Sequence, residues 1–419
     1  MRKRGLIMKR NKLFATVLSL TLIASALTGC NSTSTPVSTA TAETDGSSQT
    51  AEAGTAANAQ QTAAAGDKVS IVCTSFPQYD WVRQLTKGLD DSFDITYLQN
   101  TGVDLHSYQA SAEDIMKIGS SDMFIYVGGE SDSWVDGALK NAVNPNLVAI
   151  NMLEELGDDV KEEEIKEGMQ HDHDHDHEDE DNDHENEAEH DHDDADDHDH
   201  EDDADDHDDH KDADDHDHEA EVDDHDEHDD HDHADGEIEY DEHVWLSLEN
   251  ATELTEEIAD KLETLAPDQA TAIAANCDSY VAELNKLDSE YEAAVEASPI
   301  KTIIFGDRFP FRYLVDDYDL DYYAAFVGCS AETEASFETI SFLTNKVDEL
   351  QVPAILTIEN SDQKVAKTIL NNTKSKNQQI LVMDSLQSVS QETINGGKTY
   401  LGTMQDNLET LKVALGVNA

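Results

Sequence analysis

The sequence predicts an α/β protein of two lobes. Each has a four-stranded, mostly parallel sheet flanked by helices; one long rigid helix joins them, and a disordered His/Asp-rich tract interrupts the first. Three observations carry this prediction. Eight short runs rich in β-branched and aromatic residues fall into two groups of four, at 69–74, 93–98, 123–127 and 147–150, then at 302–305, 322–327, 354–358 and 380–383. One uninterrupted helical pattern lies between the groups, at 268–297. Residues 171–235 have only six alanines and Val222 as apolar side chains, too little to support a core.

From the N-terminus, basic residues Arg2, Lys3, Arg4, Lys9, Arg10 and Lys12 precede an apolar run from Leu13 to Leu27, which ends at Leu27-Thr28-Gly29-Cys30. A basic region, a short apolar core and a small residue before cysteine predict a lipoprotein signal over 1–29, with Cys30 lipidated. Residues 30–66 are Ser, Thr, Ala, Gln and Gly with almost no large side chain, as expected of a flexible tether. The N-terminal lobe is expected over 67–266, broken by the 171–235 tract, the linking helix over 267–298, and the C-terminal lobe over 299–419. In the linking helix Ile273, Cys277, Tyr280, Val281, Leu284, Leu287 and Tyr291 recur every three or four residues. Pro267 and Pro299 bracket it. At 1.5 Å per residue it reaches on the order of 40 Å, enough to run down both lobes.

Charge restricts the partners. The net charge of −68 leaves no basic footprint for nucleic acid. Residues 171–235 hold 38 acidic residues against one lysine, while the rest keeps 56 against 25, so cations are favoured throughout. Beyond Cys30 only Cys73, Cys277 and Cys329 remain, one disulfide at most.

Of 19 histidines, 17 lie in the tract, and imidazole with carboxylate is a donor set for Zn²⁺. Solubility alone would need only Asp and Glu, so the tract reads as a metal-gathering segment. The other two are His106, in Gly102-Val103-Asp104-Leu105-His106-Ser107-Tyr108, and His243, in Asp241-Glu242-His243-Val244-Trp245-Leu246. Each alone reads as structural; together, in loops beside core elements, they read as ligands.

These motifs, with Thr74-Ser75-Phe76-Pro77 before them and Met383-Asp384-Ser385-Leu386, Thr399-Tyr400-Leu401 and Asn407 after them, resemble in their order the zinc and manganese solute-binding lipoproteins, the cluster A-I binding proteins of ABC importers. The resemblance runs from about Lys68 to the C-terminus. It implies a metal in the cleft between lobes, His106 and His243 as N-lobe ligands, and Asp384 as a C-lobe ligand. It also implies delivery to an ABC permease from the outer face of the cell membrane. A monomer is expected, and no enzymatic activity; zinc is favoured over manganese because two imidazoles are present.

One departure stands out. Where the family places a His or Glu ligand of the C-lobe, this chain reads Gly306-Asp307-Arg308-Phe309-Pro310-Phe311-Arg312-Tyr313, and a guanidinium cannot coordinate a cation. Glu332 or Cys329 is expected to complete the site. The competing expectations are that Arg308 pairs with Asp384 or Glu359 in a metal-free cleft, and that the protein is a surface metal buffer or adhesin whose tract carries the metal.

Overall fold

A strand followed by a helix re-enters its sheet in the same direction, and every strand pair here is parallel. The computed structural model describes residues 68–170, 239–330 and 334–417, which belong to one compact unit. The expected signal, the tether and the 171–235 tract lie outside the described residues, as does Glu332. The first sheet is built from β1 (Val69–Cys73), β2 (Phe93–Tyr97), β3 (Met123–Tyr126) and β4 (Val148–Asn151), in the order β2-β1-β3-β4. The second holds β5 (Thr302–Phe309), β6 (Asp321–Val327), β7 (Ala354–Thr357) and β8 (Gln379–Val382), in the equivalent order β6-β5-β7-β8. Helices α1 (Phe76–Leu85), α2 (Ala112–Ser120), α3 (Val135–Lys140), α4 (Met152–Leu156) and α5 (Leu248–Leu265) accompany the first sheet. The spine α6 (Ala270–Ala297) comes next, then α7 (Arg312–Asp317), α8 (Phe337–Leu350), α9 (Lys364–Asn372), α10 (Gln391–Asn395) and α11 (Tyr400–Ala414).

All eight strands fall on the predicted runs within a residue or two, except that β5 continues to Phe309. The register between β5 and β6 shifts between Phe305 and Arg308, an extra residue that bends the strand and re-aims the side chains beyond it. Gly306 sits at this point because a Cβ there would lie 2.6 Å from the Ala366 backbone of α9.

The spine buries Ile273, Cys277, Tyr280, Leu284, Leu287 and Tyr291, as its periodicity requires; Val281, at the edge of that stripe, is half-buried. The largest cluster of buried apolar residues runs through both lobes and α6, so the lobes share a core along the spine, while a smaller separate cluster fills the other face of each sheet. Polar contacts cross the same seam. The Trp245 indole donates to the Ser385 carbonyl at 2.8 Å, and the Tyr400 hydroxyl donates to the Trp245 carbonyl at 2.6 Å. The Tyr97 hydroxyl reaches the Val389 carbonyl at 2.8 Å.

Residues 161–170, within the range expected to be N-lobe, lie on the C-lobe. Gln170 bridges Phe326 of β6, Lys161 and Lys166 pair with Asp316 and Asp321, and the Lys161 N–H donates to the Tyr313 hydroxyl. On the far side of the tract the chain returns beside its departure, with Glu162 bridging Tyr240.

Candidate metal centre

The carboxyl ends of the strands in both sheets feed loops into the space between lobes, where ligands of open α/β sheets are held. The loop after β2 turns at Gly102, whose φ of +80° favours glycine, and then forms a short 3₁₀ turn, Leu105–Ser107. Asp104 caps this turn by accepting the His106 N–H at 3.1 Å. The ring Nδ1 of His106 lies 2.9 Å from the Ser131 hydroxyl and 3.5 Å from Glu242 Oε2. Gly129 makes room, since a Cβ there would lie 2.4 Å from Glu242 Oε1.

His243 is fully buried ahead of the 3₁₀ turn Val244–Leu246. Asp241 Oδ1 accepts both its backbone N–H and its ring Nδ1–H, each at 2.9 Å, which fixes the ring and turns Nε2 toward the cleft. There Nε2 lies 3.2 Å from His106 Nε2 and 2.9 Å from Gln387 Oε1. Gly328 is required beside it, because a Cβ would meet the His243 ring at 3.2 Å and the Phe309 carbonyl at 2.9 Å.

The two rings hold protons differently. Burial and the neighbouring His243 lower His106 to about 3, so it stays neutral. Burial opposes a charge on His243 as well, but the Asp241 carboxylate and the Gln387 oxygen outweigh it and raise its pKa above the ordinary value. His243 therefore holds a proton more firmly than an ordinary imidazole, beside a His106 ring that resists one. Burial lifts the Glu242 carboxyl, and burial with Asp241, Glu163 and Glu242 pushes the Cys329 thiol up.

The convergence matches a cation. Two nitrogens at the usual zinc distance and a tetrahedral angle are separated by about 3.3 Å, against 3.2 Å here. Among the described residues, His106, His243 and Cys329 form a group whose donor atoms all lie within 4.8 Å of one another. Two buried polar atoms at the site, Glu242 Oε2 and Gln387 Nε2, have no hydrogen-bond partner among the described residues, Glu242 Oε2 standing 3.5 Å from His106 Nδ1. Polar atoms left unpaired in such a place suit a bound ion or water.

The structure brings His106 and His243 together but keeps Asp384 out of that group. Asp384 Oδ1 accepts the Leu386 N–H at 2.9 Å, and Oδ2 pairs with Lys398. The residue turned to His243 is Gln387, three positions further on. Leu386, at φ +65°, takes the left-handed turn that presents it, a conformation rare for a branched residue. Sequence reasoning missed Gln387 because its motif stops at Leu386.

Arg308 pairs with neither Asp384 nor Glu359. Its guanidinium donates to Asp104 Oδ2 at 2.8 Å and to the Ser330 carbonyl at 3.2 Å, joining the lobes across the cleft. Burial opposes ionisation of Asp104, but Arg308 outweighs it and holds that carboxyl below the usual range.

Comparison with known proteins identifies the family and the fold. The family model described as zinc-uptake complex component A, periplasmic (ZnuA), matches residues 71–414. The zinc-binding protein AdcA of Streptococcus pyogenes is 26% identical over 366 residues, covering 86% of this chain and 58% of that protein. The chain thus spans a little over half the length of that relative. The high-affinity zinc uptake system protein ZnuA of Bacillus subtilis is 25% identical, with 84% and 90% covered. The Zn(II)-bound ZnuA-like domain of Streptococcus pneumoniae AdcA shares the fold, with a TM-score of 0.55, 22% identity, and 83% and 99% of the two chains covered.

Proposed function

Because the chain belongs to the family of the zinc-uptake complex component A, we propose that it captures zinc between its lobes and delivers it to the permease of an ABC importer. The observation that carries this reading is the facing of His106 Nε2 and His243 Nε2 at 3.2 Å, inside a set of partners that orients both rings. Capture is equilibrium binding without bond chemistry. The protein is anchored by lipid on Cys30 at the outer face of the cell membrane, and the 171–235 tract raises the local zinc supply. Asp384 and Glu332 remain candidates to join the cation from the C-lobe, Asp384 only by leaving Lys398.

Competitive titration tests the reading. With residues 171–235 deleted, one tight zinc site is expected to remain. If none remains, the cleft is metal-free and the tract alone carries the metal, which is the buffer or adhesin reading.

Proton competition gives a second expected result. The cation must displace the His243 proton, so affinity falls about tenfold per pH unit once pH drops below that raised pKa. Asp241→Asn removes the carboxylate that raises it. The decline should then begin at lower pH, while affinity at alkaline pH weakens by about 10–100-fold because the ring loses its orienting partner. Zinc titrations of both proteins between pH 5.5 and 8.5, an interval set by about one to two units around the ordinary histidine value, check this. Parallel pH profiles would contradict it.

A further inference from the structure

Resting on the cleft reading, we infer that Cys329 supplies a thiolate to the bound cation, and that Arg308 is a positioning residue holding the cysteine loop against the histidine loop. The site is thereby a His₂Cys centre for thiolate-accepting cations.

Cys329 belongs to the only group of three or more metal-capable donors found among the described residues, together with His106 and His243. It lies on the C-lobe just after β6, whereas both histidines belong to the N-lobe, so a cation bound by all three ties the lobes together. A tetrahedral centre with ordinary zinc–sulfur and zinc–nitrogen bonds sets sulfur about 3.6 Å from each nitrogen. The three donors, within 4.8 Å of one another, reach that arrangement by small side-chain movement. Gly328 lets this loop lie against the His243 ring, where any side chain would collide. The Cys329 N–H is held by Glu163 Oε1 at 3.1 Å, from the segment that lies on the C-lobe.

Arg308 then has a purpose that its chemistry permits. One guanidinium spans Asp104, two residues before His106, and the carbonyl of Ser330, next to Cys329. Asp104 meanwhile holds the His106 N–H with its other oxygen. A positive group that cannot ligate thus aligns donors from both lobes. On binding, the S–H proton leaves for solvent and sulfur donates an electron pair to the cation, as a coordinating thiol does. Thiolate with two imidazoles favours Zn²⁺, Cd²⁺ and Cu⁺, whereas Mn²⁺ prefers oxygen donors. Gln387 Oε1, already beside His243, is available as a weaker fourth donor.

Cobalt(II) titration of the full chain tests this, because a cobalt–thiolate bond gives an intense near-ultraviolet charge-transfer band and the His/Asp tract contains no cysteine. The band is expected in the unsubstituted protein and absent in Cys329→Ser, whose zinc affinity should fall by at least about tenfold. Zinc is also expected to protect Cys329 from alkylation, a readout that needs no variant. Arg308→Gln should weaken zinc binding while keeping the band. If the tetrahedral visible bands of cobalt vanish in His243→Ala but no thiolate band ever forms, the thiolate assignment is overturned and the cleft reading survives. If no cobalt spectrum depends on His243, both fall.

Discussion

His243→Ala is expected to abolish tight zinc binding, with a loss larger than the 10–100-fold typical of removing a ligand's orienting partner. This side chain supplies one of the two facing nitrogens, and neither of its side-chain partners Asp241 and Gln387 can take its place. Asp241 is turned toward the vacated ring position rather than into the cleft, and Gln387 offers only a neutral amide oxygen. Thermal unfolding separates cleft binding from binding to the tract. A ligand stabilises a fold only through its preference for the folded state, by about 2.7 kcal/mol at a hundred times its Kd. The tract's composition leads one to expect that it binds zinc before and after the core melts, so it contributes little to that shift. Zinc should therefore raise the melting temperature of the unsubstituted protein and leave that of His243→Ala unmoved. An equal rise in both would remove the cleft as the functional centre. Without zinc, the variant also loses some stability, because buried Asp241 and Gln387 are left without the ring that paired with them.

Trp245→Ala is expected to cost about 3–5 kcal/mol of stability, toward the upper end of that range. The indole is fully buried in the core shared by both lobes. Its edge meets the His243 ring at 5.4 Å between centroids, and its N–H satisfies the Ser385 carbonyl across the seam. Truncation therefore leaves a cavity and an unpaired carbonyl at the place where the lobes join, next to the facing imidazoles. Urea unfolding should show a lower midpoint with an unchanged slope if the shared core still melts as one. Trp245→Phe, which keeps most of the volume but not the N–H, should cost clearly less. A cost below about 1 kcal/mol for the alanine variant would mean that the seam is held elsewhere.

The parts of this protein that were legible in its sequence are those whose chemistry repeats. Strands draw on β-branched and aromatic residues, so all eight announced themselves, including the partly exposed edge strands β2, β4 and β8. The spine was readable from one apolar position every three or four residues, because a helix packed on one side has no other way to be written. His106 and His243 stood out because they are the only histidines beyond the tract. By contrast, residues 161–170 read Lys-Glu-Glu-Glu-Ile-Lys-Glu-Gly-Met-Gln and carry no periodic signal. They lie on the C-lobe because Asp316, Asp321 and Tyr313 happen to face Lys161, Lys166 and a backbone N–H.

Local composition and period, read alone, therefore determined the two α/β lobes, the spine, the cation preference and the histidine pair, since each depends on neighbours along the chain. Tertiary structure decided what meets that pair. Asp384 and Gln387 are both polar residues of one loop, and only the left-handed turn at Leu386 sends the second toward His243 while Lys398 retains the first. Arg308 could have met any carboxylate of the cleft, and the extra residue in β5 precedes the point where it meets Asp104. Such choices depend on distances between residues far apart in sequence, set by strand register, a bulge and a single backbone angle, and none of these leaves a periodic trace in the order of amino acids.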